Sequence, residues 1–405
     1  MSETVSHITR RKASEPAPAS RFNIISNTPE LLVFEIEAIT INMANVLRRT
    51  VMEYVESIAF KGHPPTDSDI IIHVNTTPIV NEEIMERVGL IPIHVDTPTD
   101  FDPSQYEFRI DVTNTSKTDK RDVTAADFEV RQVNTNNWHQ ASEFFKPNKL
   151  TGDHVLLAVL PPAPLNDSYT QRLHLTATPS INSGIYHAGY IPGLITYEFV
   201  MDEDPIRIQD AFDKWIVVNK KDNMTKTAEG RAAAKAEFET LEKQRVYKKD
   251  SDGNPAVFKF TIESFGPIPA ASIFTRALEV ITARVAIYTT PELPENCTVS
   301  LCNTGLNGID IVMKDETHTM GSLLQFYLAN RYVKIDGIED TKDLPLIFAG
   351  YVVPHPLEVA ILLRLGIDGD DVPTAICIKV LTECAGVIKA DLMQLESEWS
   401  VTLAK

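Results

Sequence analysis

The side chains of this sequence that could do chemistry are few, and their spacing suits gripping better than catalysis. Glu82 and Glu83 are adjacent carboxylates, the type used for acid–base work, but no nucleophile or metal motif accompanies them. Capping explains them more simply: Asn81 is a fair N-cap, and negative charge in a first helical turn meets the positive end of the helix. His318 lies at the start of a helical stretch and His355 between two prolines, positions better suited to hydrogen bonding than to ligation. Cys297 and Cys302, and Cys377 and Cys384, lack the second pair or the histidines that a zinc site needs. No Gly-rich phosphate loop, His-Glu-x-x-His or Gly-x-Ser-x-Gly occurs. Catalytic, cofactor and metal sites are therefore all expected to be none. The remaining chemistry is that of Arg48 and Arg49, whose guanidinium forks suit carboxylates and carbonyls of a partner. A plainer reading leaves them solvated, with Arg49 paired to Glu53 one turn on.

These residues sit on elements that the apolar pattern defines. Phe34, Ile36 and Ala38 alternate with Glu35 and Glu37, a half-buried strand, and Met43, Val46, Leu47, Thr50, Val51, Tyr54 and Val55 then form a helical stripe. The same unit recurs at Ile309–Leu328, offset by 277 residues, the separation of Met43 from Met320. Val46 falls on Leu323, Leu47 on Leu324 and Val51 on Leu328, while Arg48 and Arg49 fall on Gln325 and Phe326. The copies share a buried stripe but not an outward face, so the fold does not require the arginines. This favours a partner for them.

Elsewhere, Asn81–Gly89 reads as a short helix held by Ile84, Val88 and Leu90, with Gly89 as its C′ residue. Asp96–Val200 is strand-like and loop-rich. Asp202–Gly253 is charged, with one helix-prone block at Lys226–Arg245 anchored by Phe238 and Leu241. Val257–Phe265 is a clean strand, followed by a helix carrying Phe274, Ala277, Leu278, Ile281 and Val285 on one face. Thr289–Gly308 reads as a linker, and Leu346–Val353 with Val359–Leu365 as a hairpin. A long last helix carries Cys377, Leu381, Cys384, Ile388, Leu392, Leu395 and Trp399 as a packing seam. Sheet, early helix and late helix thus occur twice, and each set has an apolar surface that its sibling can cover.

A net charge of −18 argues against a chain that holds nucleic acid by its own charge, and suits one that meets basic partners. Four cysteines and no leading apolar segment suit a reducing, intracellular compartment. No apolar run approaches the roughly 18 residues of a membrane span. The first 21 residues, with Arg10, Arg11 and Lys12, read as a disordered tail.

Several segments together resemble one family. Ile41–Ile58 is similar to the first helix of the alpha-like subunits of DNA-dependent RNA polymerases, and Asn75–Ile93 to the motif that follows, Asn-Thr-Thr before a Glu-rich helix ending Arg-x-Gly-Leu-Ile-Pro. Gly184–Phe199 resembles the His-Ala-x-x-x-Pro segment, and Phe258–Ala286 the closing strand and helix. Asp315–Leu324, Phe348–Leu357 and Leu395–Trp399 resemble instead the small partner subunit, the eleventh of polymerase II. In cellular enzymes the two are separate chains; one chain carrying both resembles the arrangement in nucleocytoplasmic large DNA viruses.

The resemblance implies an α+β fold: two dimerisation domains of the alpha-subunit type, each an antiparallel sheet with helices, paired within the chain as a pseudo-heterodimer. It places a tail at 1–21, the alpha-like domain at 22–62 and 256–290, and an inserted β-rich domain at 63–255 that includes the charged stretch 202–253. A linker at 291–307 and the small-partner-like domain at 308–405 follow. The pairing surface is expected at Met43, Val46, Leu47, Val51, Phe274, Leu278, Ile281, Met320, Leu323, Leu324, Leu328, Leu381, Ile388, Leu392 and Leu395. The implied role is a platform without catalytic residues that docks the largest and second-largest polymerase subunits, with Arg48, Arg49, Glu82, Glu83 and Arg87 facing the latter. Small subunits resembling the tenth and twelfth of polymerase II would join, DNA would be met only through the complex, and no membrane is involved. A viral member would work in the host cytoplasm, the virion or the nucleus. The alternative is a stand-alone regulatory or nucleic-acid-associated protein. One departure is plain: relatives bind zinc or iron–sulfur clusters through cysteines in the inserted module, and this chain has no cysteine before Cys297.

Overall fold

The computed structural model describes residues 21–404 apart from 96–100, 136, 164–169, 220, 222–225, 304, 336–337, 339–340, 342 and 370–371. The expected tail lies outside the described residues, apart from Arg21. The chain opens with the hairpin β1 (Phe22–Asn27) and β2 (Leu31–Glu37), then enters helix α1 (Ile41–Glu53) and leaves this layer. It runs through β3 (Glu56–Ala59), β4 (Ile70–Asn75), α2 (Asn81–Gly89), β5 (Tyr106–Asn114), β6 (Arg121–Thr124) and β7 (Glu129–Gln132). Next come β8 (His139–Gln140), β9 (Leu156–Leu160), β10 (Gln171–Ala177) and β11 (Ser180–Ser183). These build a sheet of order β4-β10-β5-β7-β8 and the pairs β11-β3 and β6-β9.

The chain returns with β12 (Gly193–Phe199), detours through α3 (Pro205–Val218) and α4 (Ala228–Leu241), and closes the first sheet with β13 (Val257–Ser264) and α5 (Ala270–Ala286). The rest is shorter: β14 (Cys297–Leu301), β15 (Gly308–Lys314), α6 (His318–Tyr332), β16 (Phe348–Val352), β17 (Ala360–Gly366) and α7 (Pro373–Leu403). The two four-stranded antiparallel sheets have matching orders, β1-β2-β13-β12 and β14-β15-β17-β16, each with a helix after its second and its last strand.

The repeat extends to backbone detail. Strand β2 shifted by 277 residues is β15. Among the described residues the non-glycine positions with left-handed φ are Ala38 (55°) and Asp315 (62°), again 277 apart and each just before a helix. Both helices are then N-capped by threonine: Thr40 accepts from the Met43 amide, and Thr317 from the Thr319 amide. A second offset, 103 residues or the separation of Ala270 from Pro373, carries β13 and α5 onto β17 and α7. The two offsets agree in one pair of hydrogen bonds: Ala38 N donates to Ala256 O at 3.2 Å, and Asp315 N to Val359 O at 2.8 Å. Two stretches with little identity thus follow one backbone plan.

Residues of both sheets and of α1, α5, α6 and α7 share one continuous apolar core. Helix α1 packs on α6 and α5 on α7. Trp399, near the end of α7, lies within 5.3 Å (ring centroids) of Phe22, Phe34 and Phe274, aromatics of the first sheet and α5. Its indole N–H donates to Thr275 Oγ1 at 2.9 Å, so this large ring is buried without an unpaired donor. The five-stranded sheet has its own core around Phe60, Phe108, Phe128 and Phe145.

The structure departs from the sequence pattern in several places. The α2 N-cap position is Val80, and Asn81 instead accepts from Asn75 Nδ2 at 2.8 Å, tying the helix to the end of β4. The charged stretch holds two helices rather than one. Phe212 and Ile216 of α3 cover Phe238 of α4, and Leu241, an expected anchor, is exposed. Part of the expected linker is strand β14, whose Cys297 and Val299 turn towards the core along an edge.

Candidate assembly interface

The α1–α6 seam is apolar inside and polar along its rim. Inside lie Met43, Val46, Leu47 and Val51 with Met320, Leu323, Leu324 and Leu328; Phe274, Leu278, Ile281, Leu381, Ile388, Leu392 and Leu395 of α5 and α7 join the same core. Every residue expected to pair the halves is buried there. On the rim, Asn42 Nδ2 donates to Ser322 Oγ at 2.7 Å, and Tyr54 and Thr317 share a hydroxyl–hydroxyl bond of 2.7 Å. Glu53 accepts from Thr317 and Thr319 and is ion-paired with Arg49.

Beside this rim is a buried charged cluster that the sequence reading missed. Arg284 of α5 donates to Glu316 Oε2 at 2.8 Å and to Asp315 O at 3.0 Å, and its guanidinium carbon lies 4.1 Å from the centre of the Tyr54 ring. Tyr288 O–H donates to the other Glu316 oxygen at 2.9 Å. Glu316 is 2 % exposed. Burial pushes its carboxyl up from the usual range, against the opposing pull of Arg284 and Tyr288. The guanidinium, which does not release its proton and lies at 2.8 Å, favours the charged form of the carboxyl and so opposes that rise. The signal was available: at the repeat offset Glu316 replaces Ile39, a polar residue in a buried stripe.

A second assembly joins three motifs distant in sequence. The end of α2 meets the 184–191 segment so closely that a Cβ on Gly189 would lie 2.0 Å from the Gly89 carbonyl oxygen, and one on Gly89 3.0 Å from that of Phe60. Contact of backbone on backbone, not a left-handed turn, is what these glycines permit. His187 accepts from the Gly189 amide at 3.1 Å, and Ser57 Oγ donates to the Tyr190 carbonyl at 2.7 Å. The motif is a clasp holding α2 and β3 in place.

Of the expected docking residues, Arg48 is half-exposed and donates to Asn45 of its own helix at 3.1 Å. Arg49 turns into the seam, donating to Thr319 Oγ1 at 2.8 Å besides its pairing with Glu53. Glu82 and Glu83 are exposed on α2, and Arg87 bridges Glu83 (2.7 Å) and the Leu157 carbonyl (3.0 Å). Arg48 and Arg49 bond within α1 and to α6, whereas Arg87 bonds Glu83 of its own helix and the backbone of β9. His318 bonds the Tyr351 hydroxyl at 3.1 Å, and His355 accepts from the Leu357 amide at 3.2 Å. Burial raises the Cys377 thiol to about 11 and that of Cys384 to about 12, values of inert core thiols. Among the described residues no helix is long and apolar enough to cross a membrane.

Two sheet-and-helix units sharing one helical core define a dimerisation scaffold. The sequence profile of the RNA polymerase Rpb3/Rpb11 dimerisation domain matches residues 33–285, and the chain belongs to that family. It is 25% identical over 134 residues to the DNA-directed RNA polymerases I and III subunit RPAC1 of Homo sapiens, and to the same extent to that of Bos taurus. These matches cover 33% of this chain and 34% of each relative, so the chain spans about a third of their length. It is 30% identical over 83 residues to the DNA-directed RNA polymerase subunit Rpo11 of Sulfurisphaera tokodaii, 20% of this chain and 76% of that protein.

Proposed function

We propose that this chain is a non-catalytic assembly subunit of a DNA-directed RNA polymerase, formed by fusion of an alpha-like half and a small-partner half that pair with each other. The observation that carries the reading is the single core to which α1 and α5 of one half and α6 and α7 of the other all contribute. Two units of one plan, each supplying two helices, form inside one chain what a heterodimer forms from two. The boundaries we assign are 22–62 with 256–290 for the first half, 63–255 for its insertion, and 308–405 for the second half. A single chain carrying both halves resembles the arrangement in nucleocytoplasmic large DNA viruses and would act inside cells.

The paired unit docks the two largest subunits. Arg48, Glu82, Glu83 and Arg87 supply the face for the second-largest, because they are exposed or half-exposed on helices whose other faces are already buried. Arg49 supports that face from the seam. Small subunits like the tenth and twelfth of polymerase II complete the assembly, and DNA is reached only through it. The test is purification of the tagged full chain from its native source, followed by mass spectrometry. Stoichiometric large subunits are expected, reduced at least several-fold by R48E combined with E83K. A preparation without large subunits would sink the proposal.

A further inference from the structure

The pairing of two similar halves poses a problem of partner choice, since two copies of either half could in principle pair with themselves. The repeat offsets show how the seams differ. By those offsets Glu316 corresponds to Ile39 and Arg284 to Val387. Pseudo-symmetry therefore produces two equivalent seams. One holds Arg284 of α5 against Glu316 before α6, at 2.8 Å. The other has the equivalent positions occupied by Ile39 before α1, part of the shared apolar core, and Val387 of α7, packed against it. Tyr54 and Tyr288 complete the polar seam, and their counterparts Arg331 and Asp391 do not reproduce it. Asp391 instead accepts from Tyr327.

We propose that Arg284 and Glu316 are the specificity determinants of half-to-half pairing, excluding association of either half with a second copy of itself. The inference rests on the paired-halves reading above. Two first halves together would set Arg284 against Ile39 twice, and two second halves would set Glu316 against Val387 twice. Two second halves would bury Glu316 without its partner, a far larger cost than the modest net value of the pair itself, and two first halves would leave the part-buried Arg284 facing apolar Ile39. Only the mixed arrangement matches charge with charge and apolar with apolar. The linker favours pairing within the chain by an effective concentration in the millimolar range. The charge pair adds discrimination where neighbouring chains are crowded during synthesis.

The test uses the full chain. R284V with E316I gives the polar seam the residues of its apolar counterpart. Refolded at about 0.1 mM, roughly a tenth of the linker's effective concentration, this double variant is expected to form dimers at the ten-per-cent level. Mixed light and heavy isotope-labelled chains should then cross-link first half to first half. Wild type should give dimers only by exchange of first half with second half, and no like-half cross-link. Adding I39E and V387R to the double variant moves the pair to the other seam and should abolish the like-half cross-links, which a merely structural role would not do. A double variant that gives no like-half cross-link at any concentration overturns the proposal. So does one that fails to fold and is not rescued by the relocated pair. The underlying reading is checked separately in the wild-type background by an N42C/S322C disulfide, whose absence within a single chain would count against paired halves rather than against the determinants.

Discussion

The two halves are built on one backbone and differ in what they insert into it. Between α1 and β12 the first half carries the whole five-stranded sheet, and between β12 and β13 the helices α3 and α4; the second half joins β16 to β17 by a short turn. The register hardly notices. Val33 faces Thr261 in the first sheet, and at the same place in the second Asp310 faces Arg364. The hydrogen-bonded frame and its buried stripe tolerate large insertions at a strand connection, because a loop's closure cost grows only slowly with its length. They also tolerate substitution of cross-strand partners, provided these complement each other. What must be kept is narrow: the left-handed residue, the threonine cap and the apolar helix face.

That contrast can be broken or sharpened experimentally. The largest effect is expected from Trp399→Ala, which removes a second-half ring from the first half's aromatic cluster. It should cost about 3–5 kcal/mol in urea unfolding while preserving one cooperative transition. Separate transitions for the two halves would show that they are not one core. Next, Leu47→Ala and Leu324→Ala, equivalent positions on α1 and α6, should each cost about 2–5 kcal/mol and agree closely. A large mismatch in thermal denaturation would deny that the seam is pseudo-symmetric. The caps should then diverge. Thr40→Ala loses only a cap, about 1 kcal/mol, whereas Thr317→Ala also strips a hydroxyl that bonds Tyr54 and Glu53 and should cost more.

The smallest effect concerns acid. Hydrogen bonds from Arg364, at 2.6 and 2.8 Å, hold the Asp310 carboxyl below the usual carboxylate range. A depressed folded-state pKa gives stability that is complete above about pH 4, the unfolded value, and is lost as pH falls through the folded value. With Arg364 nearly a third exposed, the loss should be about 1 kcal/mol. The variant D310V/R364T, which carries the first half's residues at that register, should lack this component when unfolding is compared at pH 5 and below pH 3.

Much of this architecture was legible in the sequence because burial leaves periodic marks. The stripes at Met43–Val55, Phe274–Val285 and Cys377–Trp399 are buried as their spacing implies, and offset 277 is a real structural repeat. The second offset was hidden, since β13 and α5 share few residue types with β17 and α7. Helix α3 carries Ile208, Phe212, Trp215 and Ile216 at helical spacing, a signal masked by the charge of the 202–253 stretch taken as a whole. Arg49 shows the limit at the site. Its pairing with Glu53 follows from i, i+4 spacing, but Thr319 reaches it from 270 positions away, a contact that only tertiary packing creates. Glu316 was readable as an oddity, yet its partner Arg284 lies on a helix whose stripe gives no hint of it.

The long detour between α1 and β12 also sets a timetable. Strand β2 pairs with β13, Glu37 opposite Val257, so closing the first sheet brings together residues far apart in sequence. The second sheet closes over a far shorter span, Lys314 opposite Ala360. Contacts between residues near in sequence form sooner. On refolding of the full chain the second half is therefore expected to finish first, and its exposed helices are the surface on which the first half completes itself. Pulse-labelled hydrogen exchange during refolding should show protection at Gly308–Gly366 before Leu31–Glu37, and the reverse order would refute this timetable.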